Sequence, residues 1–226
     1  MEILRSEKLT KIYQDNGIPV HAVRGIDISI NKGEYLVIAG PSGSGKTTLL
    51  NLLGALDKPT TGKIWFKGEE LMHKTKRELS DLRLHNLGFI FQAYNLIPVL
   101  TALENIEFSM MLLGIDEKER RQKSLSLLEE LEIRELADKR PNEMSGGQQQ
   151  RVAVARAIVN NPELVLADEP TANLDSKTGG NLLDLMEKMN QEKNITFVFS
   201  SHDQLVINRA RRLVTLKDGL IDSIRE

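Results

Sequence analysis

The sequence predicts an α/β fold: a mostly parallel core sheet, an antiparallel β portion at the amino terminus and an inserted helical subdomain. Three observations carry this. Four short apolar runs alternate with helical patterns, the first 33 residues alternate loosely in β fashion, and residues 95–143 hold long helical patterns without a convincing strand. Composition agrees. At 226 residues, 40% hydrophobic and 27% charged, the chain suits one large domain with a subdomain and can bury a core without staples. Thirty Lys and Arg against 32 Asp and Glu leave a net charge of −2, the wrong balance for a protein that coats nucleic acid. With no cysteine, disulfides, thiolate zinc sites and thiol nucleophiles drop out.

The elements follow in order. Residues 3–13 and 20–30 read as an antiparallel pair around Asp15-Asn16-Gly17, a turn signal. Residues 35–39, 87–91, 164–167 and 195–199 are short, apolar and rich in β-branched or aromatic side chains, as buried strands are. Helices are expected at 46–56, after a glycine loop, and at 118–131, which is charged and amphipathic. Two more are expected at 148–160, where Val and Ala alternate with Arg, and at 175–191, where Leu182, Leu185, Met186 and Met189 fall at helical spacing. Strands alternating with helices imply a sheet covered on both faces. We expect a single domain over 1–226. Residues 1–92 and 158–226 would form the core with its β portion, and about 93–157 the helical subdomain. No repeat or low-complexity tract is present. Residues 1–8 lack the apolar run of a secretory signal. The longest uncharged run, 86–103, is broken by Gln92, Asn95, Pro98 and Thr101, so no membrane span is expected and the protein reads as soluble and cytoplasmic.

Gly40-Pro41-Ser42-Gly43-Ser44-Gly45-Lys46-Thr47 fits G-x-x-x-x-G-K-[ST]. Its glycines let backbone N–H groups curl around phosphate, Lys46 adds a positive charge and the Thr47 hydroxyl can ligate magnesium. The motif follows an apolar strand and opens a helix whose amino terminus attracts anions; the plain alternative is a glycine-rich turn. Asp168-Glu169-Pro170 ends another apolar run, where Asp168 can hold a magnesium ion and Glu169 can orient or deprotonate water. Standing alone, it would be a solvated acidic turn. Gln92 and His202 each follow an apolar strand, so a parallel sheet brings them to the same edge as the glycine loop. By themselves they read as a polar strand end and a structural histidine. Ser145-Gly146-Gly147-Gln148 precedes a helix and offers a second anion cradle, yet lacks the lysine and metal ligand of a complete site. One economical reading is that it closes over a nucleotide held elsewhere; the other is a simple helix cap.

These motifs, in this order, resemble those of the nucleotide-binding subunits of ABC transporters over nearly the whole chain. Residues 40–47 are similar to Walker A, Gln92 to the Q-loop glutamine and Ser145-Gly146-Gly147-Gln148 to the family signature. Residues 164–168 with Glu169 are similar to Walker B, Ala172-Asn173-Leu174-Asp175 to the D-loop and His202 to the switch histidine. The resemblance implies a P-loop NTPase of the ABC ATPase fold that hydrolyses ATP with Mg²⁺. It implies catalytic roles for Glu169, His202, Lys46 and Gln92, and metal ligation by Thr47, Gln92 and Asp168. Nucleotide contacts would come from Tyr13, which matches the adenine-stacking aromatic, from residues 40–47 with Thr48, from Ser145 to Gln148 and from Asp175. Met144 stands where Leu is commoner, Ser201 where Thr is frequent and Ala172 where Ser or Gly is usual.

The resemblance further implies a head-to-tail dimer with a second copy of the chain, each ATP lying between one Walker A and the partner's signature. Residues 91–98 and 100–105 look like the lipoprotein-releasing (LolD-type) and macrolide-export (MacB-type) branch. A separate transmembrane permease, no nucleic acid partner, no carboxy-terminal regulatory domain and a peripheral place on the cytoplasmic face of the inner membrane are then expected. Residues 93–101, with Tyr94, Leu96, Ile97 and Leu100, read either as a docking groove for that permease or as subdomain core. Rival readings are a soluble ABC ATPase acting on a macromolecular complex and a regulator that binds nucleotide without hydrolysis. The basic clusters 74–77 and 209–212 read as solvated faces, with anionic lipid as the alternative.

Overall fold

Residues 1–15 and 17–226 are described in this computed structural model. β1 (Glu2–Asp15) and β2 (Ile18–Asn31) pair antiparallel, as their alternation predicts; the turn signal between them centres on Asn16, outside the described residues. β3 (Tyr35–Ala39) leads into α1 (Lys46–Leu53), followed by β4 (Thr61–Phe66), the short β5 (Glu69–Glu70), α2 (Lys76–Asn86) and β6 (Leu87–Ile90). Then come α3 (Ala102–Leu112), α4 (Glu117–Glu130) and α5 (Gly146–Ile158), with no strand between them. β7 (Leu164–Asp168), α6 (Ser176–Lys193), β8 (Thr196–Ser201), the single turn α7 (Gln204–Ile207), β9 (Arg212–Lys217) and β10 (Leu220–Arg225) complete the path.

Two sheets result. One has the order β2-β1-β4-β5 and is antiparallel; the other runs β10-β9-β3-β8-β7-β6, parallel except for the β9–β10 pair. Period-two alternation decides what lies on each face of the larger sheet. Tyr35, Val37, Val165, Ala167, Phe197 and Phe199 face a core shared with α3, α4, α5 and α6. Their neighbours Leu36, Ile38, Leu164, Leu166 and Val198 face a second core, built with α1 and the antiparallel sheet. Both faces are thus dry, which is why these strands read as unbroken apolar runs rather than as alternating ones.

Element ends depart from the sequence reading where caps decide them. The expected helix over 46–56 stops at Leu53, with Gly54 as its cap and Ala55 in a left-handed turn. The helix expected from 148 begins at Gly146, because Ser145 is its N-cap in a capping box with Gln148. The two glycines are therefore its first turn and not the loop before it. Asp175 caps α6 in a similar way, accepting from the backbone N–H groups of Lys177 and Thr178. β4, β5, α2 and the β9–β10 hairpin have no counterpart in the sequence reading.

The basic cluster 209–212 is more than a solvated face: Arg211 is exposed, yet every arginine is bonded to the fold. Arg209 donates to Asp184 at 2.8 Å, Arg211 to Asn190 Oδ1 at 2.9 Å, and Arg212 to Glu34 at 2.9 Å and to the Ser29 carbonyl at 2.8 Å. Asn190 is buried at the centre of this cluster. Its amide also donates to the carbonyls of Gly33 (3.0 Å) and Ile195 (2.7 Å), binding α6 to the loops that enter β3 and β8. Replacing Asn190 with Ala leaves the buried Ile195 carbonyl without its donor and removes two part-buried bonds, so Asn190→Ala should cost about 1–3 kcal/mol. Urea denaturation measures this, and an unchanged midpoint would refute the account of the cluster.

Candidate nucleotide-binding site

The site starts where β3 ends. Gly40 has φ 152°, and a Cβ there would lie 2.3 Å from the Leu216 carbonyl; Gly45 has φ 99°, and a Cβ there would lie 2.2 Å from the Ala22 carbonyl. No larger residue fits either place, so the loop Gly40-Pro41-Ser42-Gly43-Ser44-Gly45 closes tightly onto α1. Gly45 is the N-cap of that helix and brings no side-chain acceptor, which leaves first-turn N–H groups available to an anion. Pro41, Ser42 and Gly43 are exposed, whereas Lys46 is buried. Its Nζ donates to the carbonyls of Gly40 (2.8 Å) and Pro41 (3.0 Å) and stands 4.0 Å from Glu169 Oε1.

The acidic pair comes from β7. Asp168 Oδ1 accepts from Thr47 Oγ1 at 3.0 Å and from Ser200 Oγ. Glu169 follows at φ 45°, its N–H donating to the Ser200 carbonyl at 2.9 Å. That left-handed turn re-aims its side chain, so that Oε1 lies 2.7 Å from His202 Nδ1 while Oε2 accepts from Ser201 Oγ at 3.0 Å. A cleft of about 500 Å³ collects Ser42, Lys46, Thr47, Thr48, Gln92, Glu169 and His202. Its far wall is Val20, His21 and Ala22 of β2.

Sequence reasoning missed that wall, along with the roles of Ser200 and Ser201. In the sequence they show only as two serines ending an apolar run, Ser201 standing where Thr is frequent. Tyr13 pairs across the ladder with Val20, which places it at the rim, and its hydroxyl lies beside Thr48 and Asp57. Burial, reinforced by the Asp57 carboxylate, raises the pKa of that phenol.

Ser145, Gly146, Gly147, Gln148 and Asp175 are not brought into the cleft. Ser145 and Gln148 cap each other, Gly146 sits against Tyr94, Gly147 sits against Thr178, and Asp175 is spent on capping α6. The loop before α6 still touches the site indirectly, because Asn173 Nδ2 donates to the Gln92 carbonyl at 2.9 Å. Among the described residues no group of three or more His, Cys, Asp and Glu could hold a metal ion. Thr47 Oγ1 and Asp168 Oδ1, 3.0 Å apart, are hard oxygen donors of the kind magnesium takes alongside phosphate and water.

A closed glycine loop, an uncapped helix start, a buried lysine and two strand-end carboxylates together suit a polyphosphate, and the sheet that presents them is that of the P-loop nucleoside triphosphatases. Similarity to known proteins narrows this. The ABC transporter family matches residues 23–172. The lipoprotein-releasing system ATP-binding protein LolD 1 of Chlorobium chlorochromatii is 42% identical over 97% of this chain and 90% of its own length. The macrolide export ATP-binding/permease protein MacB of Syntrophobacter fumaroxidans is 39% identical over 98% of this chain and 31% of its own length. The dimeric post-hydrolysis structure of the ATP-binding cassette MJ0796, a protein of Methanocaldococcus jannaschii, bound to ADP and Pi, superposes with a TM-score of 0.93. It is 40% identical and covers 99% of this chain and 98% of that one. This chain belongs to the ABC transporter family, as an ATP-binding subunit that hydrolyses ATP.

Lys46→Ala removes the one buried cation of the loop. We expect ATP affinity or turnover to fall about ten-fold or more, the scale of a lost charged hydrogen bond. Equal steady-state hydrolysis by variant and parent would exclude that role.

Proposed function

We propose that the chain is the motor of a membrane permease carried on a separate chain, working on the cytoplasmic face of the inner membrane by ATP-driven closure of a head-to-tail pair. The observation that carries this is a mismatch within one chain. The phosphate cleft is nearly complete, while a second glycine-bearing helix start, Ser145-Gly146-Gly147-Gln148, lies outside it and lacks a lysine or metal ligand of its own. Two copies arranged head to tail would bring each unused helix start over the other's cleft. The named dimeric structure of MJ0796 with ADP and Pi supports the pairing.

In this reading the base stacks on Tyr13 and the phosphates enter the Gly40–Thr47 loop. Lys46 exchanges the carbonyls of Gly40 and Pro41 for phosphate oxygens. The partner's Ser145 and Gly147 complete the enclosure, and its Asp175 borders the joint. Glu169, held by Ser201 and His202, takes a proton from the attacking water, while Gln92 and His202 position water and phosphate. Thr47, Asp168 and Gln92 would hold magnesium, which when bound would neutralise the phosphoryl charge. Most of the rate would come from positioning and preorganised charge, so an unclosed monomer should be slow.

A groove of about 510 Å³ supports the reading of a permease dock. Leu56, Phe89, Phe91 and Leu112 line it, Arg83 and Arg156 edge it, and Asn95 brings in the segment that follows Gln92. Phe108, Met111 and Leu112 of α3 stay exposed, and so does Val99. Leu96, by contrast, packs into the subdomain core, so the docking expectation for 93–101 shifts towards α2, β6 and α3. The names of the LolD and MacB relatives make lipoprotein release or macrolide export the leading kinds of work.

Glu169→Gln should keep ATP binding and block turnover, so that ATP-dependent dimers accumulate; a monomer on gel filtration at saturating ATP would sink the closure mechanism. In the intact complex, crosslinkers placed at Leu112 and Asn95 should capture the permease. A map that leaves both untouched would dispose of the docking groove.

A further inference from the structure

Asp57 lies in the loop between α1 and β4, outside every motif singled out above, and it is bonded on several sides. Its backbone N–H donates to the Asn51 carbonyl at 3.2 Å, and its Oδ1 accepts from the Lys58 N–H at 2.7 Å. The same Oδ1 takes the Lys11 ammonium at 2.7 Å, and Oδ2 takes the Tyr13 hydroxyl at 2.8 Å. Lys11 also donates to the Lys58 carbonyl at 2.7 Å and stands over the Tyr13 ring, 4.8 Å from its centroid. The strand is laced to this loop as well: Thr60 N–H donates to the Thr10 carbonyl at 2.8 Å, and Ile12 N–H donates to Thr60 Oγ1 at 3.0 Å.

The consequence is a restrained aromatic ring. A tyrosine at the exposed end of a strand ordinarily samples several rotamers, and stacking a base on it costs the entropy of choosing one. Here the hydroxyl is tethered by a carboxylate that is itself held by a lysine and a backbone amide. One ring face is occupied by the Lys11 ammonium. Tyr13 as a residue is 38% exposed, so ring surface is left for a base. Burial disfavours charge on Asp57, yet its Lys11, Tyr13 and Lys58 donors outweigh burial and hold its carboxyl below the usual range, so the anion persists at neutral pH.

We propose that Asp57 is a positioning residue for the nucleotide base, fixing the Tyr13 ring through its hydroxyl before ATP arrives. The proposal rests on the reading of Tyr13 as the surface on which the base stacks. It assigns Asp57 to affinity for the base and not to the phosphates or to the hydrolytic step.

The test titrates the full chain with magnesium ATP and with magnesium tripolyphosphate, which carries the phosphates without a base, in the parent, Asp57→Ala, Tyr13→Phe and Tyr13→Ala proteins. Asp57→Ala and Tyr13→Phe should each weaken ATP binding by about three- to ten-fold, the affinity counterpart of one hydrogen bond. Both should leave tripolyphosphate binding unchanged. Combining the two should weaken ATP no further, because both remove the same bond. If Asp57→Ala does not fold, Tyr13→Phe carries the same comparison. Loss of ATP affinity in Tyr13→Ala, with none in Asp57→Ala or Tyr13→Phe, would overturn the positioning role and leave base stacking in place. An unchanged ATP affinity in Tyr13→Ala would remove the stacking reading and the proposal with it. Equal weakening of ATP and tripolyphosphate in Asp57→Ala would mark general damage to the cleft and overturn the assignment.

Discussion

The parallel register of β3, β8 and β7 is the constraint on which the site depends. Ala39 pairs with Ser201 and Asp168 with Ser200, so the three strands end at one level of the sheet. The glycine loop, the Asp168–Glu169 pair and His202 all leave the sheet there, and this alone brings residues more than a hundred positions apart within a few ångströms. Burial on both faces secures the register. A slip of one residue in β7 would exchange Leu164 and Leu166 with Val165 and Ala167 between two cores of different shape.

The helical layer is joined to that edge by polar contacts as well as by packing. Gln150 of α5 donates to the Pro170 carbonyl at 2.8 Å, directly after the acidic pair. Arg156, nearly two turns further along, donates to the carbonyls of Tyr94 and Asn95, two residues in left-handed conformation just past Gln92. Burial lowers the pKa of this guanidinium, and backbone carbonyls stand in for the carboxylate it lacks. Asn173 joins the loop before α6 to the Gln92 carbonyl. α5, the segment after Gln92, the loop around Asn173 and the acidic turn are therefore one connected set, with the apolar groove at its edge.

Much of the site was legible because phosphate chemistry is local. The loop from Gly40 to Thr47 and the strand-end pair Asp168–Glu169 reveal themselves by residue type and spacing, since backbone N–H groups, a lysine and strand termini do the same task in any chain. The central strands were legible because double-sided burial forces continuous apolar runs. β4 and β5 were not, since they lie in the outer antiparallel sheet, where residues such as Lys63 and Glu69 stay exposed. α2 was hidden for the same reason: Leu79 is its one buried residue, and its capping box at Thr75 and Glu78 is the signal that was available. The arginines 209–212 looked solvated because their partners, Asp184, Glu187, Asn190, Glu34 and Ser29, are distant in sequence.

The sequence by itself determined the class of chemistry, the strands of the central sheet and the order of motifs, all properties of short segments whose residue types act alone. Only the tertiary structure decided which of those motifs share a cleft. It placed Lys46, Thr47, Gln92, Glu169 and His202 together and left Ser145, Gly147 and Asp175 outside, where they cap helices. It also revealed Asp57, Ser200 and Ser201, whose meaning lies entirely in the partners they meet. The physical reason is range. A cap or a glycine turn is settled within a few residues, whereas a hydrogen bond between Tyr13 and Asp57 exists only once two sheets and a helix have packed.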